Sequence, residues 1–184
     1  QAHDVVGFDT NSEIVDRLNQ GISHIEGVES SVILELISKG KFSSTTNEAE
    51  IMGSDIVVIA LPTPLDASRK PDLSFIESAC KVIAKNLEAP ALIINESTSY
   101  PGTLRDIIIP TINLLKSNSS FTLYFASAPE RINPGDSIWN QKNTPRLVGA
   151  IDAASQIKAL AFYESICDAA VSVSTPEVAE AAKL

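Results

Sequence analysis

The chain has 184 residues, of which 44% are hydrophobic and 20% charged, a composition typical of a globular domain rather than a disordered segment. Its formal net charge is -9, because 23 acidic residues outnumber 14 basic ones. That sign disfavours binding to a phosphate backbone, so we expect no nucleic-acid partner. No apolar run approaches the roughly 18 residues of a transmembrane helix, so we expect no membrane partner.

The two cysteines, Cys80 and Cys167, are far apart in the sequence, and their spacing matches neither a metal site nor a redox motif. Both stand among apolar neighbours, where a free thiol is usually a small buried hydrophobic group. The first residues show no basic stretch followed by an apolar core, so the sequence predicts no signal peptide. We therefore expect a reduced, cytoplasmic protein without a metal site.

Taken in chain order, the apolar residues alternate between strand-like and helix-like segments. Residues 55–60 and 91–95 are near-continuous apolar runs, as expected of parallel strands buried on both faces. Further strands are predicted at residues 5–9, 121–127, 146–149 and 171–173, and helices at residues 11–20, 31–38, 49–52, 74–87, 101–115, 153–167 and from 175 onward. This alternation predicts an α/β domain with a parallel sheet.

Three of the predicted helices begin with a capping signal. Ser74 with Glu77 has the spacing of a capping box. Asp152 is placed to cap the helix that follows it, and Thr175 precedes Pro176, which suits the first turn of a helix. These signals fix where the three helices are expected to start.

Candidate functional residues follow the strands, because ligands of parallel α/β sheets bind beyond the carboxyl ends of the strands. Asp9 ends the first strand, where an acid either accepts ribose hydroxyls or caps a helix. Thr98 stands just before the helix start at Pro101, where a hydroxyl either holds a substrate oxygen or caps the helix. Glu130 is either a general base held by the neighbouring Arg131 or part of a structural ion pair.

Seven segments carry a pattern that is more specific in combination than any one of them is alone. They are Gly7-Phe8-Asp9-Thr10-Asn11, Ala60-Leu61-Pro62-Thr63-Pro64, Pro71-Asp72-Leu73-Ser74, Glu96-Ser97-Thr98 with Pro101-Gly102-Thr103, Pro129-Glu130-Arg131 with Pro134-Gly135, Pro145-Arg146-Leu147-Val148-Gly149, and Ala179-Glu180-Ala181-Ala182-Lys183-Leu184. In this order and with these gaps they resemble the UDP-glucose/GDP-mannose dehydrogenase family along the whole chain.

The resemblance implies both a fold and a reaction. The fold is a Rossmann-like, doubly wound parallel sheet over residues 1–174, followed at residues 175–184 by the start of a central dimerisation helix. The reaction is the NAD-dependent oxidation of the C6 alcohol of a nucleotide sugar to a carboxylate, in two hydride transfers that a cysteine thioester connects. The parent enzyme is expected to be a homodimer or a larger oligomer.

By the same resemblance, five residues are expected to contact the cofactor. Asp9 binds the adenosine ribose, and its carboxylate favours NAD over NADP because it would repel a 2′-phosphate. Leu61, Pro62 and Thr63 line the cofactor beside its nicotinamide half, and Thr98 adjoins it.

The resemblance also implies three catalytic residues. Thr98 positions a water or a substrate oxygen, Glu130 is the general base for thioester hydrolysis, and Lys183 stabilises the oxyanion. Neither Cys80 nor Cys167 matches the motif of the family's nucleophilic cysteine.

Two features of the family match no part of the chain: the first strand with its glycine-rich turn, and the sugar-binding domain that holds the cysteine. We therefore expect a fragment of a longer enzyme.

Residues 21–28 look closer to UDP-N-acetylhexosamine 6-dehydrogenases than to UDP-glucose enzymes. The alternatives are another Rossmann dehydrogenase, of the 6-phosphogluconate or hydroxyacyl type, and a non-catalytic α/β fragment that binds no cofactor.

Overall fold

The computed structural model describes residues 3–25, 27–116, 120–132 and 140–184. They form two compact units, one from residues up to Glu50 and one from Ile51 onward. Pro134 and Gly135, and Glu26 in the segment 21–28, lie outside the described residues. No helix in the described part of the chain is long and apolar enough to cross a membrane.

The first unit contains two helices and a two-stranded parallel sheet. Its elements are β1 (Val5–Phe8), α1 (Ser12–Asn19), α2 (Ser30–Ser38) and β2 (Phe42–Thr45). The sequence pattern does not predict β2, because Phe-Ser-Ser-Thr lacks an apolar run or alternation. Instead, Asn19 fixes this strand: its Nδ2 donates to the carbonyl of Ser44 at 2.8 Å, and its Oδ1 accepts from the Ser44 N–H at 2.9 Å.

The second unit contains four helices and a five-stranded sheet. Its elements are β3 (Ile56–Ile59), α3 (Ser74–Asn86), β4 (Ala91–Asn95), α4 (Ile109–Leu115), β5 (Leu123–Ser127), β6 (Arg146–Ala150), α5 (Ala153–Glu164), β7 (Ala170–Ser172) and α6 (Pro176–Ala181). A 3₁₀ turn at Glu48–Ile51 precedes β3, and a π-helical turn at Leu104–Ile108 runs into α4.

The strands of this sheet lie in the order β3-β4-β5-β6-β7, with helices on both faces. The α3 and α4 side is closed by a cluster that includes Ile76, Ile83 and Ile112, and the α5 side by one that includes Ala159 and Tyr163. β3, β4 and β5 are parallel, which confirms the α/β prediction of a doubly wound sheet. The departure from a wholly parallel sheet is β6, which pairs antiparallel with β5 and parallel with β7.

The helix starts are mostly as predicted. Asp152 and Thr175 each accept a hydrogen bond from a backbone N–H of the first turn, at 2.8 and 3.4 Å. The predicted capping box is wrong, because Ser74 is already the first residue of α3 and its N–H donates to Oδ1 of Asp72 at 2.9 Å. The side chain of Asp72, rather than the predicted pair of Ser74 and Glu77, therefore accepts a backbone hydrogen bond at the start of α3.

Candidate active site

Three of the predicted site segments lie at one edge of the second unit's sheet. The last residues of β3, β4 and β5 are in register, with Ile59 opposite Asn95 and Asn95 opposite Ser127. Because these strands are parallel, the residues that follow them emerge on the same side. Thr63, Thr98 and Glu130 therefore follow strands that end at the same edge.

Hydrogen bonds join the segment after β3 to the segment after β4. The hydroxyl of Thr63 donates to the carbonyl of Thr98 at 2.5 Å, and the N–H of Leu61 donates to Oγ of Ser97 at 2.8 Å. Ser97 is buried, whereas Thr98 is exposed. The buried hydroxyl therefore holds the two segments together, and the exposed Thr98 is accessible to a ligand.

The helix that follows Thr98 is anchored by a carboxylate from α6. Gly102 has φ +100°, a conformation that favours glycine, and its N–H donates to Oε2 of Glu180 at 2.7 Å. The N–H of Leu104 donates to Oε1 of Glu180 at 2.9 Å. Burial raises the pKa of Glu180, and the two N–H donors act against that rise. Sequence reasoning missed this contact, because the partners are far apart in the chain.

Glu130 is held by an arginine other than the predicted one. Its Oε2 accepts a short charge-assisted hydrogen bond from Arg146, and its Oε1 accepts from the backbone N–H of Ile132 at 2.6 Å. Arg131, the predicted partner, instead donates to the carbonyl of Pro145 at 2.7 Å. The prediction of Arg131 as the partner is therefore wrong, because its guanidinium bonds to the carbonyl of Pro145 while Arg146 pairs with Glu130.

Arg146 is shared between two carboxylates. Its side chain is 6% exposed, and its second guanidinium nitrogen lies 3.9 Å from Oε1 of Glu96. The hydroxyl of Tyr163 donates to the same oxygen of Glu96 at 2.5 Å, and the guanidinium stands 5.3 Å from the centre of the Tyr163 ring. Burial raises the pKa of Glu96 and holds the pKa of Tyr163 well above its usual value. Together with Glu130, these residues form a largely buried charged cluster behind the strand ends.

The sequence offers little sign of this cluster. Arg146 begins a short apolar strand, and Tyr163 lies on the buried face of α5. A charged residue leading an otherwise apolar strand is the one available signal, since arginine is rarely buried unless it is paired.

In the first unit, Asp9 lies in the turn between β1 and α1, and the residue that caps α1 is Asn11, whose side chain accepts from the N–H of Glu13. Asp9 follows β1, its N–H donates to the carbonyl of Thr45 at 3.1 Å, and its Oδ1 accepts from the N–H of Asn11 at 2.8 Å. The residue is partly exposed. One oxygen therefore shapes the turn into α1, and Oδ2 is the atom suited to accept from a ribose hydroxyl.

Lys183 and the two cysteines are the remaining candidates. Lys183 lies just after α6, partly exposed, and its N–H donates to the carbonyl of Glu180 at 3.2 Å. Cys80 is fully buried, and burial raises its pKa to about 12. Burial also raises the pKa of Cys167. Neither thiol is suited to act as a nucleophile, and the described residues contain no cluster that could hold a metal ion.

Comparison with known proteins supports this description. Residues 1–167 match the NAD binding domain of the UDP-glucose/GDP-mannose dehydrogenase family. The chain is 31% identical to UDP-N-acetyl-D-mannosamine dehydrogenase of Pyrococcus horikoshii, over 99% of this chain and 44% of the relative. It is 30% identical to UDP-N-acetyl-D-glucosamine 6-dehydrogenase of Pseudomonas aeruginosa, over 98% of this chain and 42% of the relative.

The same similarity appears in solved structures. The Pyrococcus horikoshii enzyme superposes with a TM-score of 0.91 at 30% identity, covering 99% of this chain and 44% of that one. GDP-mannose dehydrogenase of Pseudomonas aeruginosa superposes with a TM-score of 0.88 at 26% identity, covering 99% of this chain and 43% of that one. The chain thus spans less than half the length of these relatives.

Proposed function

The chain belongs to the UDP-glucose/GDP-mannose dehydrogenase family, and we propose that it forms the NAD-binding part of an enzyme that oxidises the C6 alcohol of a UDP-sugar to a carboxylate. The observation that carries the proposal is the placement of Thr98 and Glu130 after adjacent parallel strands, at one sheet edge. Ligands of such sheets bind at this edge.

NAD is the cofactor of this family, and the residues present fit part of it. When bound, NAD accepts the hydride that leaves the sugar carbon. Oδ2 of Asp9 would accept a hydrogen bond from the adenosine ribose, and Leu61, Pro62 and Thr63 would contact the nicotinamide half. The 184 residues contain no Gly-x-Gly-x-x-Gly turn, so the pyrophosphate contacts come from elsewhere in the enzyme.

Oxidation of an alcohol to a carboxylate removes two hydrides and adds the oxygen of one water. We assign the intermediate between the second hydride transfer and the attack of water to a thioester on a cysteine outside these residues, because both cysteines of this chain are buried. Water then attacks the thioester carbon, its proton passes to a base, and the thiolate leaves.

Three residues of this chain serve that last step. Glu130 takes the proton from the attacking water, with its carboxylate oriented by Arg146 and by the N–H of Ile132. Thr98, an exposed residue, positions the water or the substrate oxygen with its hydroxyl. Lys183 brings an ammonium to the oxygen on which negative charge develops.

We propose a UDP-N-acetylhexosamine as the substrate. Its support is that two relatives are named for UDP-N-acetyl-D-mannosamine and UDP-N-acetyl-D-glucosamine. The test incubates the enzyme that contains this chain with NAD and, separately, with UDP-N-acetylmannosamine, UDP-N-acetylglucosamine and UDP-glucose. We expect two NADH per sugar consumed with an N-acetylated sugar. Turnover of UDP-glucose alone would contradict the substrate assignment, and no NADH with any UDP-sugar would contradict the function.

A further inference from the structure

Glu180 is a fully buried carboxylate to which neither the sequence motifs nor the proposed mechanism gives a role. Its exposed fraction is 0%, and both its oxygens accept backbone hydrogen bonds, from Gly102 at 2.7 Å and from Leu104 at 2.9 Å. Burying a carboxylate is costly unless such partners compensate it. A carboxylate held in this way fixes the position of the backbone segment whose N–H groups donate to it.

The donors belong to the segment that follows Thr98. On its other side this segment is already fixed, because the carbonyl of Thr98 accepts from the hydroxyl of Thr63 and Ser97 is bonded to the N–H of Leu61. Glu180 therefore supplies a buried anchor on the far side of Thr98. With it, the backbone is held both before and after Thr98.

The acceptor belongs to α6, which leads directly to Lys183. The start of α6 is itself tightly seated: a Cβ atom on Gly149 would lie 2.2 Å from the carbonyl oxygen of Thr175. A second contact from α6, between Glu177 and Arg105 at 2.6 Å, reaches the same segment but is partly exposed. Glu180 is thus the buried contact between the helix that leads to Lys183 and the segment that carries Thr98.

We propose that Glu180 is a positioning residue of the dehydrogenase: by accepting from Gly102 and Leu104, it holds Thr98 and Lys183 in the arrangement that the reaction requires. This inference rests on the proposed function. A carboxylate is needed because two N–H donors converge on it. A glutamine keeps one acceptor oxygen and turns an NH₂ group towards the other donor, so one buried N–H loses its partner.

The test compares Glu180→Gln with Glu177→Gln in the enzyme that contains this chain. The two substitutions remove the same charge from the same helix, three residues apart, but only the first changes the acceptor of the Gly102 and Leu104 N–H groups. We expect Glu180→Gln to lower kcat by about 10- to 100-fold with KM for the UDP-sugar changed less than about twofold, since small displacements of reacting groups are costly. Glu177→Gln should change kcat less than about twofold.

A double-mutant cycle separates positioning from general damage. Because Glu180 is proposed to position Thr98 as well as Lys183, Glu180→Gln should lower kcat by a smaller factor in a Thr98→Ala background than in the wild type. Losses that multiply would overturn the proposal. If Glu180→Gln does not fold, Glu180→Asp replaces it in the same cycle, because aspartate keeps the charge and both oxygens but draws them back by one methylene.

Amide hydrogen exchange supplies a readout that does not depend on activity. In Glu180→Gln we expect faster exchange at Gly102 or Leu104, whichever amide loses its acceptor, with no change at either amide in Glu177→Gln. Unchanged exchange at both amides in Glu180→Gln would overturn the proposal. An inactive wild-type enzyme would instead contradict the proposed function, while the exchange result would still decide whether Glu180 orders this segment.

Discussion

Arg146 lies opposite Glu130 because β5 and β6 run antiparallel. In this pair Ser127 lies opposite Gly149. Glu130 comes three residues after Ser127, and Arg146 comes three residues before Gly149, so the antiparallel register places the two opposite each other. The one antiparallel pairing in the described sheet of the second unit thus brings a buried cation to the proposed base. In a parallel pair the start of β6 would lie at the opposite edge.

Removing that cation should destabilise the protein. In Arg146→Met, the carboxylates of Glu96 and Glu130 remain partly buried without their shared counter-ion, which typically costs about 3–5 kcal/mol of the free energy of unfolding. Urea denaturation measures this loss. The control is Arg131→Met, which removes a bond to one carbonyl and should cost within about 1 kcal/mol. If the two variants lost the same free energy of unfolding, the ion pairs that Arg146 makes with the two carboxylates would not be an important source of stability.

The close packing of α6 against β6 leaves no room for a side chain at Gly149, so a substitution there should lower the stability of the protein. An added Cβ would lie 2.2 Å from the carbonyl oxygen of Thr175 and 2.9 Å from Cα of Pro176, both backbone atoms that cannot rotate away. We expect Gly149→Ala to lower the free energy of unfolding by about 1–3 kcal/mol. Gly53→Ala is the matched control, since a Cβ there meets nothing within 4 Å, and it should change stability by less than about 0.5 kcal/mol. If Gly149→Ala left the free energy of unfolding unchanged, α6 would be free to move away from β6, which would contradict this account.

The ion pair between Glu177 and Arg105 should make stability depend on acid pH. The Arg105 hydrogen bond lowers the pKa of Glu177 from 4.5 to about 2. Because the folded pKa lies below the unfolded one, the stabilisation is present above pH 4.5 and is lost as pH falls towards about 2. The free energies of unfolding of the wild type and Glu177→Gln, measured by urea denaturation, should therefore differ at neutral pH and converge as the pH approaches about 2. A constant difference across this range would contradict the assignment.

Residues 1–184 alone should bind NAD weakly. They offer Asp9 for a ribose but no glycine-rich turn for the pyrophosphate, and one ribose contact cannot replace phosphate contacts at a helix N-terminus. Among the described residues β1 pairs only with β2, and Val5 and Val6 are each 48% exposed. Calorimetric titration of the isolated chain measures the affinity. Micromolar binding would show that these residues carry the phosphate site after all.

The strand ends could be predicted from sequence because they follow from local pattern. A continuous apolar run such as Ala91–Asn95 identifies a buried strand, and parallel pairing then fixes where Thr98 emerges. The partners of Glu130 and Gly102 could not be predicted in this way. Arg146 depends on the direction in which β6 pairs, and Glu180 depends on the docking of a helix that begins 74 residues after Gly102. Such long-range contacts have no periodic signal in the chain.

The assignment of Glu130 as the base for thioester hydrolysis is tested most directly by single-turnover kinetics of Glu130→Gln in the enzyme that contains this chain. The glutamine keeps the shape and can still bond to Arg146, but it cannot take the proton from water. We predict that the first burst still releases two NADH per active site, whereas steady-state turnover falls by about 10²–10⁴-fold and the sugar stays attached to the enzyme. If the burst and the steady state slowed equally, with no attached sugar, Glu130 would be a positioning residue and the assignment would be wrong.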